Sequence, residues 1–126
     1  MADSGKEGIE AVRERWPVLF NAGKLDELGD WFYAEDARAL PPETEPIQGR
    51  GEIVKYFRQV RESGDVSFDL GVIETVAEGD IGYLVGTYVF TSGGNSVNGV
   101  THEAYRLQPD GTWKCTVDMW HNSEPS

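Results

Sequence analysis

Residues 19–57, LFNAGKLDELGDWFYAEDARALPPETEPIQGRGEIVKYF, decide the fold. Asn21-Ala22-Gly23 stops one helix, and Leu25, Leu28, Trp31 and Phe32 then recur at helical spacing to mark a second. Pro41, Pro42 and Pro46 keep the next segment extended, as a short strand or an extended passage. From Gly49-Arg50-Gly51 onward, Ile53, Tyr56, Phe57 and Val60 share one face and predict a third helix over about 51–63, closed by Gly64. Upstream, Ile9, Val12, Trp16, Leu19 and Phe20 give an apolar face over residues 7–22. Pro17 lacks an amide hydrogen and crowds the preceding turn, which predicts a kink or a break into two pieces near Trp16.

Beyond Gly64 the pattern turns from helix to strand. Residues 66–76, 81–91, 97–108 and 113–121 are rich in β-branched and aromatic side chains. Their separators, Glu78-Gly79-Asp80, Ser92-Gly93-Gly94-Asn95 and Pro109-Asp110-Gly111-Thr112, are turn sequences. Strands joined by such short turns form an antiparallel meander, since parallel neighbours need long crossovers. Helices followed by a curved meander predict an α+β fold with the helices against one sheet face. Glu124-Pro125-Ser126 reads as a tail.

Composition narrows the function classes. A chain of 126 residues holds one domain with one core, and no linker divides it. Lone Cys115 excludes an internal disulfide and, with no apolar signal core at residues 1–7, points to the cytoplasm. Eleven Lys plus Arg against twenty-two Asp plus Glu leave a formal charge of −11. Such a surface repels phosphate backbones and anionic lipid, so neither nucleic acid nor membrane is an expected partner.

The pattern N-A-G-x-L-D-x-L…Y-A-x-D-A…P…I-x-G-R…I…Y-F, continued by Y-R-x-x-x-D-G-x-W-K…D-x-W, resembles the NTF2-like superfamily over almost the whole chain. That superfamily is the cone-shaped fold of ketosteroid isomerases and SnoaL-type polyketide cyclases, and the nearest likeness is to its SnoaL-like and DUF4440-like members. The resemblance implies N-terminal helices packed on a strongly curved antiparallel sheet that encloses a pocket for a small hydrophobic molecule. It also implies a homodimer joined through the outer sheet face.

Laid on the ketosteroid isomerase pattern, the general-base position falls on Leu40 and the helix-one tyrosine on Trp16. Only the second acid keeps its type, as Glu103, so steroid-type isomerisation by that constellation is disfavoured. An epoxide-hydrolase-type acid–Arg–acid arrangement is disfavoured too, because Thr101-His102-Glu103 has no Arg two residues before the acid. SnoaL-type cyclases use a late acid as base, and Asp118 stands in that place. Tyr88, Tyr105 or Glu103 would then hold a carbonyl or enolate oxygen.

The same likeness turns Leu84, Gly86 and Tyr88 inward, with Gly86 either leaving space beside Tyr88 or letting the strand bend. Strict alternation with Asp118 inward also places Thr116 and Trp120 inward and Cys115, Val117, Met119 and His121 outward. The alternative makes Cys115, Val117 and Met119 core and Asp118 solvated. The expected pocket wall is Trp16, Phe20, Leu40, Tyr56, Leu84, Gly86, Tyr105 and Trp120, with Asp118, Glu103 and Tyr88 as the chemical groups. Tyr33, Asp36 and Arg50 are expected to bond at the cone's rim.

Neighbouring His102 and Glu103 point to opposite strand faces, and no His-x-His, Glu-x-x-His or Cys pair occurs, so no metal site and no cofactor is expected. Three functions follow: a cofactor-independent cyclase- or isomerase-like enzyme, a non-catalytic carrier or sensor using the same pocket, or a dimeric interaction module with a filled interior.

Overall fold

The computed structural model describes residues 4–123, so the tail reading at 124–126 lies outside the described residues. The order is α1 (Ser4–Asn21), α2 (Leu25–Phe32), β1 (Tyr33–Leu40), β2 (Ile47–Gln48), α3 (Arg50–Glu62), β3 (Val66–Glu78), β4 (Ile81–Ser92), β5 (Asn95–Leu107) and β6 (Trp113–Asn122). The strands form one sheet ordered β2-β1-β6-β5-β4-β3. Its two edges, β2 and β3, do not pair with each other, so the sheet is curled but not closed.

Local chemistry sets the joints. Gly23 at φ 77° donates its N–H to Phe20 O while Lys24 donates to Leu19 O, the paired bonds that end a helix on a left-handed residue. Gly93 and Gly94, both at positive φ, make the two-residue β4–β5 turn whose twist matches the strands. The Asn21 side chain bonds both the N–H and the carbonyl of Phe68, fastening the end of α1 to β3.

Two expectations are corrected. The break into two pieces near Trp16 does not occur, since α1 is one continuous helix through Pro17. Pro17 removes one amide donor, but the apolar residues on either side, Val12, Trp16, Leu19 and Phe20, are all buried in the core and hold the helix down. The sheet is mixed rather than antiparallel, because β1 pairs parallel to β6 across about 80 residues of chain.

Three register shifts, between Tyr33 and Arg38, between Val72 and Glu74, and at Ala104/Tyr105, supply the bends that curl the sheet over the helices. The core fills the hollow with aromatic rings: Trp16 stacks on Phe20 at 5.1 Å and meets Phe57 and Phe68 edge-on at 5.2 Å. Among the described residues, no helix is long and apolar enough to cross a membrane.

Candidate functional site

Arg13 lies on the apolar face of α1, four residues after Ile9 and three before Trp16, and is 3% exposed. A guanidinium there needs partners, since an unpaired buried charge costs several kcal/mol. It finds four. Arg13 Nε lies 2.8 and 2.9 Å from the two carboxylate oxygens of Glu103, Nη1 donates to Gly71 O at 2.9 Å, and Nη2 to Thr101 Oγ1 at 3.1 Å. The Tyr105 hydroxyl donates to the same carboxylate. Gly86 makes the arrangement possible. A Cβ at Gly86 would lie 2.5 Å from Gly71 O and closer still to Arg13 Nη2.

Asp118 faces Glu103 directly as its Cα partner on β6. Its side chain has a single described hydrogen bond, to Oδ2 from the Tyr33 hydroxyl at 2.6 Å. Trp16 Nε1 donates to the Tyr33 oxygen at 3.2 Å, which turns the phenolic proton toward Asp118. Burial, and then the nearby charge of Glu103, push the Asp118 carboxyl up to about 7, against smaller lowering by the Tyr33 bond and Arg13. Asp118 is thus poised to hold or release a proton near neutral pH. Burial also raises the Tyr33 and Tyr105 hydroxyls and the Cys115 thiol well above their ordinary values, so both phenols remain donors and the thiol stays inert.

A cavity of about 30 Å3 adjoins this cluster, walled by Trp16, Phe32, Phe57, Phe68, Leu70, Tyr88 and Trp120, with Arg13, Thr101, Glu103 and Asp118 at its polar end. Of the residues expected from sequence, Asp118, Glu103, Tyr88, Trp16 and Trp120 border it. Tyr56 borders an adjoining cavity of about 180 Å3.

The other five expected wall residues lie elsewhere. Phe20 sits behind the ring of Trp16, and Leu40 ends β1 opposite Met119. Leu84 is fully buried in the core, Gly86 clears the Arg13 guanidinium, and Tyr105 lies beneath Glu103. The space that Gly86 leaves is beside Arg13 rather than Tyr88, and Gly86 pairs with Val72 at the β3 register shift, where the sheet bends.

The parity of β6 also needs correction. Ala104 pairs with Val117 and Tyr105 with Cys115, so Thr116 is an extra residue, its hydroxyl donating to Ala104 O. One inserted residue places both Cys115 and Asp118 inward, which strict alternation forbids. Val117, Met119 and His121 turn outward, and His121 stacks on His102 at 5.5 Å on the outer face. The rim cluster forms only in part: Arg50 Nε donates to Tyr33 O at 2.9 Å, Asp36 contributes its backbone carbonyl to Gln48, and the Tyr33 hydroxyl goes inward. Among the described residues, no group of His, Cys, Asp and Glu could hold a metal ion.

The SnoaL-like domain model matches residues 8–116. The chain belongs to the SnoaL-like domain family. No curated protein matches the sequence. Solved structures share this chain's fold. One, a candidate dehydratase of the NTF2-like family from Streptomyces avermitilis, has a TM-score of 0.85 at 16% identity, with 99% of this chain and 100% of that one covered. An NTF2-like protein with a cystatin-like fold from Novosphingobium aromaticivorans gives 0.84 at 18%, covering 97% and 84%. A ketosteroid isomerase-like protein from Erwinia carotovora atroseptica gives 0.76 at 18%, covering 94% and 96%. At such identities the likeness speaks to fold, and the chemistry rests on this SnoaL-like chain's own side chains.

Proposed function

We propose that this SnoaL-like protein binds a small hydrophobic organic molecule in its interior and moves a proton on it through Asp118, in cofactor-independent chemistry of cyclase or isomerase type. The observation that carries this reading is the contrast in partners: Glu103 is satisfied by Arg13 and Tyr105, whereas Asp118 keeps one oxygen, Oδ1, without a hydrogen bond among the described residues, beside an apolar cavity. As a carboxylate, Asp118 takes a proton from carbon next to a carbonyl. As the acid, it returns that proton elsewhere on the same molecule, so no external acid is consumed. The Tyr33 hydroxyl, held as a donor by Trp16, steadies the charged form. Tyr88 borders the cavity with its hydroxyl donated to Asn122, and supplies wall rather than acid.

The test is to incubate the protein with small-molecule extract of its host and follow bound masses by native mass spectrometry. Asp118→Asn keeps the shape and the Tyr33 bond but has no acid, so it should retain the unconverted compound while the wild type releases product. Turnover by Asp118→Asn equal to wild type overturns the assignment.

One observation favours a second, non-catalytic reading. Trp16, Tyr88 and Trp120 leave only about 30 Å3 next to Asp118, room for one small substituent. A carrier or sensor needs the larger adjoining cavity alone, and would bind without any dependence on Asp118.

A second copy of the chain is the proposed occupant of the outer sheet face. The cross-strand row Val76, Tyr83, Ala104, Val117 lies beside the row Val85, His102, Met119, and Val76, Tyr83 and Met119 are exposed. Lone Cys115 and the acidic surface suit a cytoplasmic protein.

A further inference from the structure

The cavity beside Asp118 is the inner end of a series. Phe57, Phe68, Tyr88 and Trp120 border both it and the cavity of about 180 Å3, whose remaining wall includes Tyr56, Val60 and Phe90. Val97 and Asn122 border that second cavity and also an open groove of about 650 Å3. Pro42 and Glu43 from the β1–β2 connection, Ser96 and Asn98 of β5, and His121 and Ser123 complete the groove.

Chemical character changes along this line. The inner end offers a carboxyl oxygen in a space for one small group. The throat is aromatic and of a size for a fused ring pair. The groove offers amide, hydroxyl, imidazole and carboxylate side chains, and its lining has no lysine or arginine. Asn122 accepts from the Tyr88 hydroxyl through Oδ1, and its amide N–H groups have no partner among the described residues. A phosphate or carboxylate would meet Glu43 and a chain of net charge −11, with no lysine or arginine among the described lining residues. Hydroxyl groups, which both donate and accept, match such a lining.

Resting on the reading of the interior as a ligand site, we propose that the ligand is an elongated amphiphile: a flat ring system whose terminal oxygen reaches Asp118 and whose uncharged, hydroxyl-rich tail, a sugar or polyol, lies in the groove of Glu43, Ser96, Asn98 and His121. The ring fills the throat between Phe57 and Phe68, and the tail leaves over Val97.

Three probes sharing one head test this: 4-methylumbelliferone, its β-D-glucoside and its phosphate ester, in which the lactone carbonyl and the 7-oxygen lie at opposite ends. Binding to the whole protein is followed by fluorescence and calorimetry. The expected result is that the glucoside binds at least about fivefold more tightly than the parent, the return on one or more net hydrogen bonds. The phosphate should bind more weakly than the glucoside, and Asn98→Ala should bring the glucoside's affinity toward the parent's. A parent that binds while the glucoside gains nothing overturns the tail site and leaves the interior pocket standing. A phosphate that binds best overturns the uncharged character of the groove. Failure of all three overturns the flat oxygenated head, while a bound mass from host extract would still support the pocket itself.

Discussion

Glu103 and Asp118 stand opposite each other on neighbouring strands and are almost equally hidden, at 6% and 7% exposure, yet the fold treats them differently. The Glu103 side of the interior is a closed ionic network: one guanidinium, two hydroxyls and a backbone carbonyl, with a glycine giving them room. The Asp118 side has one neutral phenol and a cavity. Equal burial therefore leaves the two acids in different surroundings. Glu103 has its own cation, whereas Asp118 has a neutral phenol and a carboxyl pushed up to about 7.

The largest break in this contrast is Arg13→Met. It strands Glu103 without its cation, and a loss of about 3–5 kcal/mol in urea unfolding is expected. Adding Glu103→Gln, which keeps an acceptor for Tyr105, should recover most of that loss. No recovery would mean that Arg13 acts by packing rather than by charge.

Asp118→Asn sharpens the other side. Folding raises the Asp118 carboxyl from an ordinary value of about 4 to about 7, so the native state binds this proton more tightly than the unfolded chain. That contribution is fully present below about pH 4 and lost as pH rises through 7. Relative to wild type, Asp118→Asn should therefore gain stability between pH 5 and pH 8.5, by about 2 kcal/mol and at most about 4. A difference that does not change with pH contradicts the raised carboxyl.

Gly86→Ala should cost about 1–3 kcal/mol, because its methyl group meets both Arg13 Nη2 and the Gly71 carbonyl. Substituting Ala at exposed Gly51, where a Cβ meets nothing within 4 Å, is the control. The smallest effect belongs to Tyr33→Phe. It removes the bond that steadies ionised Asp118, so the carboxyl should titrate higher, with about 1 kcal/mol lost at pH 8.

Much of this fold was legible in the sequence because it rests on local patterns. The stop at Gly23, the apolar faces of the three helices and the glycine turns between strands each depend on a few adjacent residues. What escaped was long-range. Nothing local in Tyr33–Leu40 announces a parallel partner in β6, and Thr116 carries no glycine or proline to mark the extra residue that turns Asp118 inward beside Cys115. The site was legible only as a set of acids and aromatics. Arg13 and Tyr33 were missed as its members, though Arg13 had a usable signal: a cation at position 13 on the same helical stripe as Ile9, Trp16 and Phe20 must either snorkel or find a buried acid. Tyr33 had none, since its role depends on where β6 lies.

The most direct test is a carboxyl 13C NMR titration of the labelled protein from pH 4 to 9, repeated on Asp118→Asn. One carboxyl with a midpoint near 7 that vanishes in the variant is the predicted result. A spectrum with no midpoint above about 5, or a near-neutral midpoint that survives in Asp118→Asn, would contradict the account.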